Sequence, residues 1–107
     1  MNELQRRWEA FRLRPFPKGH TGEEVEGVCL ATLDTFAAGC IDSYTGAGQL
    51  DSERHEILES CYADIETVLP ELSGEGREYF EELAWLAREV LTRLSNPGHE
   101  SAEGEVE

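Results

Sequence analysis

The chain has 107 residues, of which 39% are hydrophobic and 30% are charged, and its formal net charge is −14. A chain of this length forms one domain at most and buries a single modest core. No apolar run approaches the 18 residues that a membrane-spanning helix needs, and the strong negative charge disfavours binding to nucleic acid. The composition fits a soluble globular domain with a richly charged surface.

The charge is divided by position along the chain. Residues 1–18 carry five basic side chains against two acidic ones, and residues 19–107 carry four arginines against 21 acids. The net charges of the two parts are therefore +3 and −17. Such a division bears on solubility and partners rather than on the fold. Because no cluster of residues carries recognisable chemistry, we expect a binding protein and not an enzyme.

The first predicted helix covers residues 2–13, where apolar residues recur on one helical stripe. That stripe consists of Leu4, Trp8 and Phe11. Pro15 and Pro17 end the helix, since a residue before proline is pushed towards extended geometry. Residues 14–23 then form a connection rich in proline and glycine, and no continuous apolar segment follows the arginines, so no secretory signal is expected.

The second predicted helix runs from about Glu24 to Tyr44, and the glycine within Glu24–Val28 leaves open a short extended piece before it. Two neighbouring apolar stripes give this helix a wide apolar face, which predicts that it is the most buried of the four. The first stripe is Cys29, Leu33, Phe36, Cys40 and Tyr44, and the second is Leu30, Ala37 and Ile41. Residues 45–49 contain two glycines and end the helix.

The third predicted helix begins at Asp51 or Ser52, with Leu50 as a hydrophobic staple, and Pro70 closes it near Leu69. Its apolar residues keep a three-four spacing: Leu58, Cys61, Ile65, Val68 and Leu72. The fourth predicted helix covers Gly74–Leu94, with Ser73 as its cap. Its apolar residues form the seam of an antiparallel bundle: Phe80, Leu83, Ala87, Val90 and Leu94.

These elements predict an all-α fold, a three-helix antiparallel up-down bundle preceded by a short N-terminal amphipathic helix, with four helices in total. Residues 1–94 form the single helical-bundle domain, within which residues 1–18 are the cationic helix and the proline-rich connection. Residues 95–107 form an acidic disordered tail. Three cysteines without close pairing are typical of free, buried thiols in the reducing cytoplasm.

Trp85 is the strongest candidate for a functional residue, because helical geometry places it opposite the apolar seam among acidic side chains. Tryptophan is frequent at interface hot spots, and an acidic rim selects a basic partner. The predicted partner-binding residues are Trp85, Glu78, Glu81, Glu82 and Glu89. The alternative is that the first helix folds back over Trp85, with its aromatic residues packed there and its arginines on the glutamates. A homodimer that exchanges this helix is also open.

Asp34 lies on an apolar stripe of the second helix, and a buried carboxylate needs a partner or takes up a proton. We expect a structural ion pair with Arg54 or Arg77 from a neighbouring helix. A catalytic carboxylate with a raised pKa is the alternative, but nothing near it in sequence supplies a nucleophile or a metal ligand.

No cofactor or metal is expected, since no histidine or cysteine pair has the spacing of a zinc site and the connection lacks a phosphate-loop pattern. The leading hypothesis is a small acidic protein-binding module, of the inhibitor or immunity type, that docks on a basic partner. The second is a self-associating structural or regulatory protein. The third is a small-ligand binder with a cavity among these residues: Asp34, Cys40, Tyr44 and Cys61.

Overall fold

The computed structural model describes residues 2–17, 19 and 23–95 of the chain, which fold into a bundle of four helices with one short hairpin. In chain order the elements are α1 (Glu3–Phe11), β1 (Glu24–Val25), β2 (Val28–Cys29), α2 (Leu30–Ala47), α3 (Ser52–Val68), a 3₁₀ turn (Leu69–Glu71) and α4 (Gly74–Ser95). This architecture confirms the all-α prediction. None of the described helices is long and apolar enough to cross a bilayer.

Helix α1 forms where the sequence predicts it, but it is shorter than residues 2–13. The Asn2 side chain caps it by accepting the backbone N–H of Gln5 at 2.8 Å. The predicted apolar stripe, Leu4, Trp8 and Phe11, is buried. The helix ends at Phe11, well before the two prolines that restrict the backbone of the connection.

Helix α2 begins at Leu30, so the predicted start at Glu24 is wrong. Strands β1 and β2 pair antiparallel across a two-residue turn, in which Glu26 (φ 54°) and Gly27 (φ 79°) both have positive φ. Two consecutive residues with positive φ are what a type I′ hairpin turn requires. The helix also extends past the predicted Tyr44, and Gly48, with φ 81°, ends it in the left-handed conformation that favours glycine.

Helices α3 and α4 match their predicted positions within one or two residues. Asp51 is the N-cap of α3 and accepts the backbone N–H of Arg54 at 2.8 Å. Pro70 lies in the 3₁₀ turn that follows α3, as expected for a residue that cannot continue the helix. Helix α4 ends at Ser95; the predicted tail beyond it lies outside the described residues.

The core forms where α2, α3 and α4 pack against one another, and α1 packs across α4 and α2. The fully buried side chains include Phe80, Leu30, Ile41, Leu58, Ile65 and Leu83. Two predictions about α2 are wrong. Phe36 is 56% exposed rather than part of the apolar face, and Cys29 is a half-buried strand residue that precedes the helix. The buried face of α2 is narrower than predicted because no element within residues 2–17, 19 and 23–95 covers the side on which Phe36 lies.

Candidate protein-binding surfaces

Arg7 of α1 lies on Trp85 and Glu82 of α4. Its guanidinium carbon is 3.6 Å from the centroid of the Trp85 ring, and its Nε and a terminal nitrogen donate to the Glu82 carboxylate at 3.0 and 2.5 Å. The hydrogen bond to Glu82 is the main cause that raises the pKa of Arg7. A guanidinium that both stacks on an indole and donates two hydrogen bonds holds one geometry. Helix α1 therefore folds back over Trp85 within the same chain.

The other glutamates predicted beside Trp85 are mostly matched with arginines of α4. Glu81 accepts from Arg77 at 2.9 Å, and Glu89 lies 3.8 Å from Arg93. Glu78 is exposed and lines a hollow beneath the proline-rich connection. The sequence predicts an exposed tryptophan surrounded by acidic side chains. In the structure, arginines of α1 and of α4 itself neutralise part of that negative charge.

Helix α1 is fixed mainly by aromatic packing, and Arg7 is its one ion pair to α4 among the described residues. The indole Nε1 of Trp8 donates to Asp42 of α2 at 3.3 Å, and the Phe11 ring lies 4.7 Å from that of Tyr79. Arg14 lies over the Phe11 and Tyr79 rings. Arg6 and Arg12 pair instead with glutamates of their own helix.

Asp34 has a different partner from the predicted arginines. The Tyr79 hydroxyl donates to its carboxylate at 2.7 Å, whereas Arg54 pairs with Asp51 and Arg77 pairs with Glu81. Burial raises the pKa of Asp34, and the hydrogen bond from Tyr79 opposes that rise. The predicted ion pair is wrong. Asp34 is held instead by a side-chain hydrogen bond that joins α2 to α4.

The excess of acid lies on the hairpin and α3 rather than on α4. Residues 23–73 carry twelve acidic side chains and a single arginine, Arg54. On α3 the exposed acids include Glu53 and Glu56, and within the described part of the chain neither has a basic partner. A basic partner would therefore meet an excess of acidic side chains on this side of the molecule.

An open apolar surface lies on the same side, along the groove between α2 and α3, which we call the α2–α3 groove. Phe36 of α2 is 56% exposed and Ile57 of α3 is 37% exposed. Both side chains border two hollows. The hairpin hollow, about 360 Å³, is further lined by Val28, Cys29, Leu33, Cys61 and Asp64. The Gly39 hollow, about 300 Å³, is further lined by Thr35, Gly39, Cys40, Ser43 and Arg54.

Two of the three free cysteines, Cys29 and Cys61, line the hairpin hollow, and their pKa values are shifted in opposite directions. The Cys29 thiol accepts a hydrogen bond from the Thr32 hydroxyl at 3.3 Å, and this contact lowers its pKa. Burial raises the pKa of Cys61 to about 11. The predicted cavity among four residues does not form as such: Cys61 and Cys40 line separate hollows, while neither hollow is lined by Asp34 or Tyr44.

No family model, no curated protein and no solved structure matches this chain. Among the residues that the structure describes, no three histidine, cysteine, aspartate or glutamate side chains are grouped as ligands for a metal ion. The arrangement of the α2–α3 groove therefore has to be interpreted from its own chemistry.

Sequence reasoning missed the α2–α3 groove because it assigned Phe36 to the apolar face of the second helix. One signal was present in the sequence. Ile57 falls outside the apolar stripe of the third helix, next to Leu58, and so had no predicted contact. A large apolar residue left out of the stripe marks the edge of a possible second apolar surface.

Proposed function

We propose that this protein is a small acidic protein-binding module that holds a basic protein partner on the α2–α3 groove. The observation that carries the proposal is the exposure of Phe36 between two hollows, in the middle of an otherwise regular helix. A large aromatic side chain of this kind is a typical anchor of an interface, because its burial on binding removes much apolar area from water.

The surroundings of Phe36 have the composition of an interface. The residues that line the two hollows include only two charged side chains, Asp64 and Arg54, in a chain that is 30% charged. Depletion of charge at the centre of a surface patch, with an aromatic residue present, is the compositional signal of an interface core. Exposed acidic residues adjoin the lining residues: Glu53 is one helical turn from Ile57 on α3, Glu24 pairs with Cys29 across the hairpin, and Glu26 precedes Gly27.

The charge of this rim favours a basic partner. Complementary charge steers encounter and can bring association rates to about 10⁸–10⁹ M⁻¹s⁻¹ at low salt. The same charge opposes nucleic acid, since phosphates would be repelled. It also opposes a second copy of the chain, whose rim has the same sign. An inhibitor- or immunity-type role, in which the module covers a basic functional surface, is the form of this activity that we favour.

We expect the module to act in the cytoplasm, because Cys29, Cys40 and Cys61 are all free thiols in the structure and such thiols persist in a reducing compartment. The surface offers binding chemistry, namely an anchor, hollows and a charged rim. We therefore propose a binding role and not a catalytic one.

The proposal is tested by affinity capture with three immobilised baits: the wild-type chain, Phe36→Ser and Leu13→Ser. Leu13 is the matched control, since it is 83% exposed and lies just beyond the end of α1, outside the α2–α3 groove. We expect one basic protein to bind the wild-type and Leu13→Ser baits, to leave at high salt, and to be absent from the Phe36→Ser lane. The complex is then rebuilt from the two purified proteins.

Two results would overturn the proposal. Equal capture by the Phe36→Ser bait would show that another surface binds the partner. Recovery of only the chain's own copies, together with a dimer in light scattering that Phe36→Ser abolishes, would assign the groove to self-association.

A further inference from the structure

Asp64 of α3 is a half-buried carboxylate that no other side chain of the described residues neutralises. Four acidic side chains among those residues are half-buried. Three of them accept a hydrogen bond or pair with an arginine of the chain: Asp34, Glu82 and Glu89. Asp64 is the fourth, and within the described part of the chain it has neither a hydrogen bond nor an ion pair. Because a half-buried carboxylate has lost part of its hydration, it gains from a charged donor that a partner supplies.

The hairpin hollow combines this carboxylate with an exposed aromatic ring and an apolar wall. Asp64 and Ser60 lie one helical turn apart on α3, and their carboxylate and hydroxyl groups both accept hydrogen bonds. The apolar part of the lining is made by four side chains: Val28, Leu33, Phe36 and Ile57. The described residues that line this hollow include no basic side chain. The hollow therefore presents hydrogen-bond acceptors beside apolar surface.

The chain already contains one side chain that satisfies such a combination of groups. On α4 the Arg7 guanidinium lies on the Trp85 ring and donates two hydrogen bonds to the Glu82 carboxylate. Arginine suits this position because its planar fork matches a carboxylate, while its flat face and its methylene stem cover apolar surface. The hairpin hollow presents an aromatic ring and a carboxylate as well, and no arginine of the described residues lines it.

We propose that the basic partner places an arginine side chain in the hairpin hollow, with its guanidinium on the Asp64 carboxylate and its methylene stem along Phe36 and Ile57. This inference rests on the proposed function and names the residue type by which the partner is recognised. A guanidinium donates two parallel hydrogen bonds to a carboxylate, whereas the ammonium group of lysine is a compact point charge. The site therefore selects arginine over lysine.

Arg54 determines which end of the α2–α3 groove receives this arginine. It lines the Gly39 hollow and precedes Asp64 by ten residues on α3, a distance of about 15 Å along the helix. Its guanidinium pairs with Asp51 at 2.7 Å, and the described residues that line the Gly39 hollow include no acid. A second cation has no carboxylate to bind there. The arginine of the partner therefore enters at the hairpin end, and an uncharged part of the partner covers the Gly39 hollow.

The test uses three acetylated and amidated pentapeptides that differ only in the central residue, which is arginine, lysine or citrulline, with leucine and then glycine on each side. Citrulline has the shape of arginine without its charge. Each peptide is titrated into the isotope-labelled full chain, and binding is followed by the shifts of backbone amide signals. We expect the arginine peptide to saturate, to shift the signals of Gly27, Thr32 and Asp64, and to bind at least about tenfold more tightly than the citrulline peptide and about threefold more tightly than the lysine peptide.

Two variants of the chain remove one negative charge from α3 at different places. Asp64→Asn should lower the affinity for the arginine peptide at least about tenfold, because the charged acceptor is lost. Glu56→Gln is the matched control and should leave that affinity unchanged, since Glu56 is an exposed acid of the same helix that lines neither hollow. Circular dichroism checks that both variants fold. The comparison of arginine with citrulline needs no variant and tests the same contact on the wild-type chain.

The results separate this inference from the proposed function. Equal binding of the lysine or the citrulline peptide, unchanged binding to Asp64→Asn, signal shifts confined to other parts of the chain, or no binding of the arginine peptide would overturn the arginine. If capture of the partner depended on Phe36 but not on Asp64, the basic partner would remain and would place no arginine in the hairpin hollow. If capture did not depend on Phe36, the proposed function would be wrong whatever the peptides show.

Discussion

Arg7 stacks on Trp85 at 3.6 Å while the same guanidinium holds the Glu82 carboxylate by two hydrogen bonds. Arg7 thus contacts both the ring face of Trp85 and the nearest carboxylate, that of Glu82. The sequence alone predicts this surface of α4 as an open binding site. The contact joins the cationic helix α1 to the acidic part of the chain. Because Arg7 covers the ring of Trp85, this tryptophan is not a free anchor for a partner.

Loss of Arg7 should loosen α1. An ion pair with limited exposure and a cation–π contact together contribute about 1–2 kcal/mol, so Arg7→Ala should lower the free energy of unfolding by about that amount. Arg7→Lys should recover only part of this free energy, because an ammonium group cannot donate the two parallel hydrogen bonds to Glu82. Urea denaturation measures both. Arg6→Ala is the control: Arg6 pairs with Glu3 on the exposed side of α1, and its loss should cost less than about 0.5 kcal/mol. Equal losses for the two positions would contradict the special role of Arg7.

Truncation of two nearby apolar residues of α2 should change the free energy of unfolding by very different amounts. Leu33 is 4% exposed, so Leu33→Ala should cost about 2–5 kcal/mol through the lost burial and the cavity left behind. Phe36→Ala should change stability by less than about 1 kcal/mol, because the ring is already largely in water. Chemical denaturation compares the two. A large loss for Phe36→Ala would mean that the ring is covered in solution.

The hydrogen bond between Tyr79 and Asp34 should matter most at neutral pH. Tyr79→Phe leaves a half-buried carboxylate without its donor, which typically costs about 1–3 kcal/mol. When Asp34 is protonated at low pH the cost should shrink, since a neutral carboxyl is easier to bury. The free energies of unfolding of wild type and Tyr79→Phe, measured at pH 7 and at pH 3, give the cost of the substitution at each pH. A loss that is the same at both pH values would contradict the role of the charge.

The raised pKa of Asp34 also predicts a pH dependence of stability. Because burial raises this pKa above its ordinary value of 3.8, the folded state holds the proton more tightly than the unfolded state does. The contribution of Asp34 is therefore favourable below pH 3.8 and is lost as the pH rises through the raised pKa. Asp34→Asn, which keeps an acceptor for Tyr79, should gain stability relative to wild type between pH 3 and pH 7. A lower free energy of unfolding for Asp34→Asn than for wild type in this pH range would contradict the raised pKa of Asp34.

The three thiols should react at different rates with a disulfide reagent. Cys29 is half-buried and its pKa is lowered by the hydrogen bond from Thr32, whereas Cys40 and Cys61 are 4% and 6% exposed with raised pKa values. The thiolate is the reacting form. Titration of the native chain at pH 7 should show one fast thiol, which Cys29→Ser removes and Thr32→Val slows. Three equal rates would show that the core opens on the timescale of labelling.

Much of the fold could be predicted because local signals agree with the final packing. The stripe of α1, the Asp51 cap of α3 and the seam of α4 each depend on residues a few positions apart, and their physics is local. The start of α2 at Glu24 was the main error, whereas the alternative of a short extended piece before the helix is what forms. A strand of two residues has too few positions to show a period of two, and its turn depends on positive φ at Glu26 as well as Gly27, which sequence patterns rarely indicate.

The sequence by itself determined that the chain forms four helices, where α3 and α4 begin and end, and that cationic and acidic parts are separated. Those properties follow from helical periodicity, caps, prolines and charge counts. Only the tertiary structure decided that Arg7 covers Trp85, that Asp34 bonds to Tyr79, and that Phe36 stays in water. Each of these contacts depends on which faces of two helices meet, and therefore on the rotation of each helix about its own axis. Hydrophobic periodicity fixes that rotation only to within the width of the apolar stripe.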